Sequence, residues 1–99
     1  MAFFFCRMIL PQSDFVRTMT DDEKNLMKAH GDYLQSLVDI GSVVCHGPVD
    51  DPNGEWGLSI FTAHEEKEVK NLTASDPMIL ADVGARYEIL PMKQLRMAT

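Results

Sequence analysis

The stretch from Thr20 to Gly41 carries the start and stop signals of a single helix, and the rest of the chain has to pack against the face that helix presents. Thr20 and Glu23 form a capping box, in which the threonine oxygen accepts from the third helical N–H and the glutamate returns to the cap N–H. Asp21 and Asp22 place negative charge at the positive end of the helix dipole. Gly41 supplies the left-handed residue that closes the other end. Around a helix turning about 100° per residue, Leu26, Met27, Ala29, Tyr33, Leu34, Leu37, Val38 and Ile40 fall in one half. Lys24, Asn25, Lys28, Gly31, Asp32, Gln35, Ser36 and Asp39 fall in the other. His30 alone breaks the division, because its angle puts an imidazole in the middle of the apolar half. A buried ring nitrogen without a partner costs about 1–3 kcal/mol, so another part of the chain must meet it. Two readings stand at this point: a core histidine satisfied by a backbone carbonyl, or a ring that works on a ligand.

The remaining elements follow from period and punctuation. Residues 2 to 10 are short, aromatic-rich and stopped by Pro11, which reads as a strand with Phe3, Phe5, Arg7 and Ile9 on one face and Phe4, Cys6, Met8 and Leu10 on the other. Residues 11 to 19 form a linker, long for its position, that is expected to fold over a pocket; Met19 is placed to pack beside the helix start. Ser42–Pro48 and Glu55–Thr62 read as two strands of an antiparallel hairpin around Asp51-Pro-Asn-Gly54, with Gly54 and Gly57 leaving backbone accessible near Trp56. Thr62 and Glu65 repeat the capping box and predict a second helix through Ala74, with His64 facing solvent. Pro77 breaks that helix and forces Asp76 into an extended conformation, suited to an N-cap or to an acid held on a bend. A last strand is expected over Asp82–Met92, with Val83, Ala85, Tyr87 and Ile89 on one face, followed by a tail from Lys93 to Thr99.

The order strand, helix, strand, strand, helix, strand is the split βαβ pattern of the ferredoxin-like fold, an α+β sandwich with a four-stranded antiparallel sheet and two helices on one face. A sheet covered on one side needs one oily face, whereas the first strand has two. The spare face predicts a homodimer formed sheet to sheet.

Ninety-nine residues make one domain with a modest core, and 45% hydrophobic content is ordinary for a globular chain. The net charge of −6 argues against binding a phosphate backbone, so nucleic acid is not an expected partner. No run approaches the roughly 20 apolar residues of a membrane span, and a cytoplasmic protein is expected. Cys6 and Cys45 lie in strand-like runs, where each is expected to act as a small buried hydrophobe. Cys45 and His46 point to opposite faces of a strand, and there is neither Cys-x-x-Cys nor His-x-x-x-His, so no metal site is expected.

Three stretches together resemble a known family: His30-Gly-Asp-Tyr-Leu34 through Gly41; Gly47-Pro48 with Gly54 and Gly57; and Asp76-Pro77 through Gly84, Arg86-Tyr87-Glu88 and Pro91. The pattern is similar to the YciI-like (YCII-related) proteins of the dimeric α+β barrel superfamily, and the likeness spans nearly the whole chain. The opening strand around Arg7 also resembles one subgroup. The resemblance implies a dimeric α+β barrel with a His–Asp pair in a pocket beside the sheet, and the matching positions are His30 and Asp76. One branch of the family is similar to a dehydrochlorinase of chlorinated hydroxyhydroquinones. Asp82 stands where the family often has glycine.

An aspartate bonded to one ring nitrogen fixes the tautomer and leaves the other nitrogen to take or give a proton. The expected function is therefore a small lyase or isomerase with no cofactor, in which His30 is the base and Asp76 orients it, acting on a small, aromatic or halogenated molecule. Arg7, Gly47, Pro48 and Trp56 are candidate substrate-binding residues; against this, Arg7 also suits an exposed or interfacial ion pair, and Trp56 a core or interface aromatic. The competing expectation is a ligand-binding or accessory domain in which the His–Asp pair is only structural.

Overall fold

The computed structural model describes residues 1–98 and contains β1 (Ala2–Ile9), α1 (Phe15–Thr18), α2 (Asp21–Asp39), β2 (Val43–Val49), β3 (Trp56–Ala63), α3 (Glu66–Ala74), α4 (Pro77–Leu80) and β4 (Arg86–Met92). The strands form one antiparallel sheet in the order β2-β3-β1-β4. This is the ferredoxin-like α+β sandwich that the element order predicts, with the two short helices α1 and α4 added.

Both ends of α2 form as their residues dictate. Glu23 N–H donates to Thr20 Oγ1 at 3.2 Å while Thr20 N–H donates to Glu23 Oε1 at 2.9 Å. At the other end Gly41, with φ +83°, lets its own N–H reach Val38 O and the Ser42 N–H reach Leu37 O, which satisfies carbonyls that the helix leaves open. Ile40, at the C-cap, is exposed rather than packed, since the helix has already ended there.

Alternation along β1 sorts the sheet into two faces. Phe4, Cys6, Met8 and Leu10 are buried under the helices. Phe4 and Cys6 join Phe61, Leu34, Leu37 and Val69 in one cluster; Met8 and Leu10 join Phe15 and Met78 in a second. Burial, with Glu66 adding to it, pushes the Cys6 thiol up to about 12, so it stays neutral and inert. Cys45 is exposed, contrary to the expectation of a buried hydrophobe, because it stands opposite Ile60 on the edge strand β2 with the uncovered face beneath it. On that face Phe3, Phe5, Arg7 and Ile9 of β1 remain half-buried and Leu90 of β4 is exposed.

Three boundaries differ from the sequence expectation. Thr62 does not cap a helix: it continues β3 opposite Phe3, its N–H donates to Ser42 O and its hydroxyl to Ala2 O, so sheet pairing outcompetes the local capping box and α3 begins at Glu66. The last strand starts at Arg86, because Asp82 (φ +55°) and Gly84 (φ +97°) turn the preceding chain into a loop. Asp82 thus stands in the left-handed region that favours glycine. The 11–19 linker folds Phe15 into the second cluster through α1, and its residues border two pockets beside the turn at 50–55 but not the His30 cavity. Lys93 to Ala98 carries no helix or strand, and Thr99, the end of the predicted tail, lies outside the described residues. Among the described residues no helix is long and apolar enough to cross a membrane.

Candidate functional site

The imidazole on the apolar side of α2 is met by a carboxylate. His30 Nδ1 lies 2.6 Å from Asp76 Oδ2, with His30 8% exposed and Asp76 fully buried. Asp76 occupies the bend between α3 and α4 in the extended conformation that Pro77 requires. Its two oxygens divide the roles that the sequence left open. Oδ1 caps α4 by accepting the Met78 N–H at 2.9 Å, and Oδ2 accepts from His30 and from the Tyr87 hydroxyl at 2.6 Å.

Because a carboxylate can only accept, His30 carries a proton on Nδ1, and in the neutral ring the lone pair is on Nε2. That nitrogen looks toward β3: a Cβ added at Gly57 would stand 3.8 Å from it. Across the sheet Pro48, Gly57, Met8 and Tyr87 are successive partners in register, so one row of strand positions runs from the cavity past His30 to the back of Asp76. The absent side chain at Gly57 leaves His30 Nε2 open to a cavity of about 330 Å³. Its walls include Met8, Leu10, Met27 and Leu34, with His30, His46 and Glu55 as titratable groups among them. Such a space is apolar with a few convergent polar groups, the ordinary character of a small-molecule site.

Of the residues singled out from sequence, Gly47, Pro48 and Trp56 line this cavity with His30, and Asp76 stands behind the imidazole. Arg7 is not part of it. The alternation of β1 sends its side chain to the uncovered face, where the guanidinium stacks 4.4 Å from the centre of the Trp56 ring and pairs with Glu88 at 3.4 Å. Arg7 Nε is buried with no partner among the described residues. Trp56 therefore borders both faces; its indole N–H donates to Asp51 Oδ2 at 3.0 Å, and Phe5 meets its ring edge-on at 6.3 Å. Among the described residues no three His, Cys, Asp or Glu side chains gather as metal ligands would.

Tyr87 is the member of the site that the sequence reading assigned only to a strand face. Burial, with the Asp76 charge and the hydrogen bond to it, drives its phenol far above the ordinary tyrosine range, so it remains a donor to Asp76. Tyr33, whose hydroxyl donates to Leu72 O at 2.7 Å, is also pushed up, first by burial and then by Asp76. The usable signal was Tyr87's inward parity in a strand, since a buried phenol needs an acceptor. What the sequence could not reveal was that the acceptor is Asp76.

A family model described as the YCII-related domain matches residues 3–93. Among solved structures, the chain is similar to 5-chloro-2-hydroxyhydroquinone dehydrochlorinase (TftG) from Burkholderia phenoliruptrix AC1100, in complex with 2,5-dihydroxybenzoquinone. The two share 25% identity at a TM-score of 0.57, over 89% of this chain and 91% of that one. No curated protein matches the chain.

Proposed function

The chain belongs to the YCII-related family, and from that membership and the geometry around His30 we propose that it is a cofactor-independent enzyme of the lyase or isomerase type, acting on a small cyclic or aromatic molecule. One observation carries this reading: a buried imidazole, oriented by a carboxylate through Nδ1, keeps Nε2 free beside an apolar cavity of about 330 Å³. In this proposal Nε2 takes a proton from a phenol or from a carbon next to a carbonyl. Asp76 stabilises the imidazolium that forms, and Tyr87 and the Met78 N–H hold the carboxylate in place. The electron pair released then expels a leaving group such as halide or shifts a double bond. A base placed this way contributes about 10²–10⁴ in rate. Likeness to a dehydrochlorinase supports the eliminating branch.

Gly47, Pro48 and Trp56 are proposed to contact the substrate from the cavity wall. Arg7 is proposed to act at the uncovered face and through Trp56, at the border of the cavity. That face, with Phe3, Phe5, Ile9 and Leu90, is proposed to bury itself against a second copy of the chain as a homodimer. Free thiols at Cys6 and Cys45 suit a reducing, cytoplasmic setting.

The test is chloride release from 5-chloro-2-hydroxyhydroquinone by the wild type and by His30→Ala. Turnover by the wild type that the variant loses, with the same circular dichroism spectrum, is expected. Binding of ring compounds without turnover by either protein would favour the accessory-domain alternative, in which the His–Asp pair is structural.

A further inference from the structure

His46 lines the same cavity as His30. It lies on β2 directly opposite Ser59, whose hydroxyl is buried with no partner among the described residues. Its Nε2 is 3.3 Å from Gln35 Oε1. The Gln35 amide is itself turned by donating its Nε2–H to Asp39 Oδ1 at 3.2 Å. An amide held this way offers its oxygen to the imidazole, so His46 carries its proton on Nε2 and keeps its lone pair on Nδ1. Burial, and then the charge His30 would carry, both lower the proton affinity of His46 and so favour this neutral form.

Each imidazole thus has one nitrogen committed to an acceptor supplied by the protein and one lone pair left over. The space they share is about 330 Å³, whereas a cavity of about 150 Å³ already holds benzene, so a substituted single ring fits. We propose that His46 is a second ligand-contacting residue, and that the cavity takes a single-ring molecule with two hydroxyl groups, one donating to His30 Nε2 and the other to His46 Nδ1. The proposal rests on the reading of His30 as the proton acceptor and adds a demand for a second hydroxyl.

Hydroquinone and phenol differ by that one group and serve as probes, with binding followed by NMR chemical-shift titration. For the wild type, hydroquinone should bind about five- to tenfold more tightly than phenol, the share a single hydrogen bond can supply. His46→Phe, which keeps a ring and removes the acceptor, should bring the two affinities together. His46→Gln, which retains an acceptor oxygen, should keep more of the difference than His46→Phe. His30→Ala should weaken both ligands. An unchanged preference in His46→Phe, or equal loss in the Phe and Gln variants, would overturn the second contact and leave the role of His30 standing. If the wild type binds neither probe, or if His30→Ala binds both as the wild type does, the role of His30 and the proposal fall together.

Discussion

His30 and Asp76 are 46 positions apart in sequence and 2.6 Å apart in the fold, joined by a hydrogen bond that decides which nitrogen of the ring is free. Asp76→Asn keeps the size of the side chain but leaves one accepting oxygen for three donors, the Met78 N–H on one side and the His30 ring and Tyr87 hydroxyl on the other, and an amide NH2 cannot accept on the side it takes. The expected result is a fall in kcat of about 10²–10⁴, the scale of a lost general base. Stability should fall by about 1–3 kcal/mol for the donor left unpaired. Steady-state kinetics with urea melts measure both.

The two tyrosines bear on stability at alkaline pH. Both phenols have folded-state pKa values above the ordinary 10.0, owing first to burial and then to Asp76. The unfolded chain therefore releases these protons first. Their contribution to stability is complete below pH 10 and declines as the pH rises above it. Absorbance at 295 nm should show little tyrosinate in the folded protein at pH 10, while urea midpoints fall from pH 10 upward. Half-ionised tyrosine at pH 10 in a folded protein would refute the buried Tyr87–Asp76 contact.

Gly57 sets the width of the cavity at the base. A methyl group there would meet Met8 Cβ at 3.6 Å and His30 Nε2 at 3.8 Å, both ordinary contacts. Gly57→Ala should change stability by less than about 1 kcal/mol, within the range that small packing changes cost. Gly57→Leu should fill the space beside Nε2; if the wild type takes up 2,5-dihydroxybenzoquinone as proposed, the variant should show no heat of binding by calorimetry.

Leu90 is 55% exposed and lies opposite Phe5 in the β1–β4 ladder, on the uncovered face. The wild type should sediment as a dimer and Leu90→Arg as a folded monomer, since a charge within the proposed apolar contact is buried unpaired. Equal sedimentation of the two proteins as dimers would place the interface elsewhere, and a monomeric wild type would overturn the proposed dimer.

Much of this architecture is legible locally. Thr20, Glu23 and Gly41 bracket α2, helical phase turns His30 inward, and strand parity separates Cys6 from Arg7, because each signal operates within a few residues. Parity also turns Arg7 away from His30, but it does not decide what borders the cavity, since Gly47 and Trp56 stand at positions of Arg7's parity and line it. The misreadings arise where distant partners outweigh local ones. Thr62 has the residues of a helix cap but is claimed by Phe3 and Ser42, and Tyr87 gains its role only when packing brings it under Asp76. The His30–Asp76 contact needs the whole fold, as no local pattern measures the space between α2 and α4.

The most direct measurement is the ¹⁵N NMR spectrum of the His30 imidazole, alone and with 2,5-dihydroxybenzoquinone. A proton on Nδ1 and an unprotonated Nε2 whose resonance moves on adding the ligand is the predicted result. A proton residing on Nε2, or an Nε2 signal indifferent to ligand that binds elsewhere, would contradict the claim that this nitrogen is the working base.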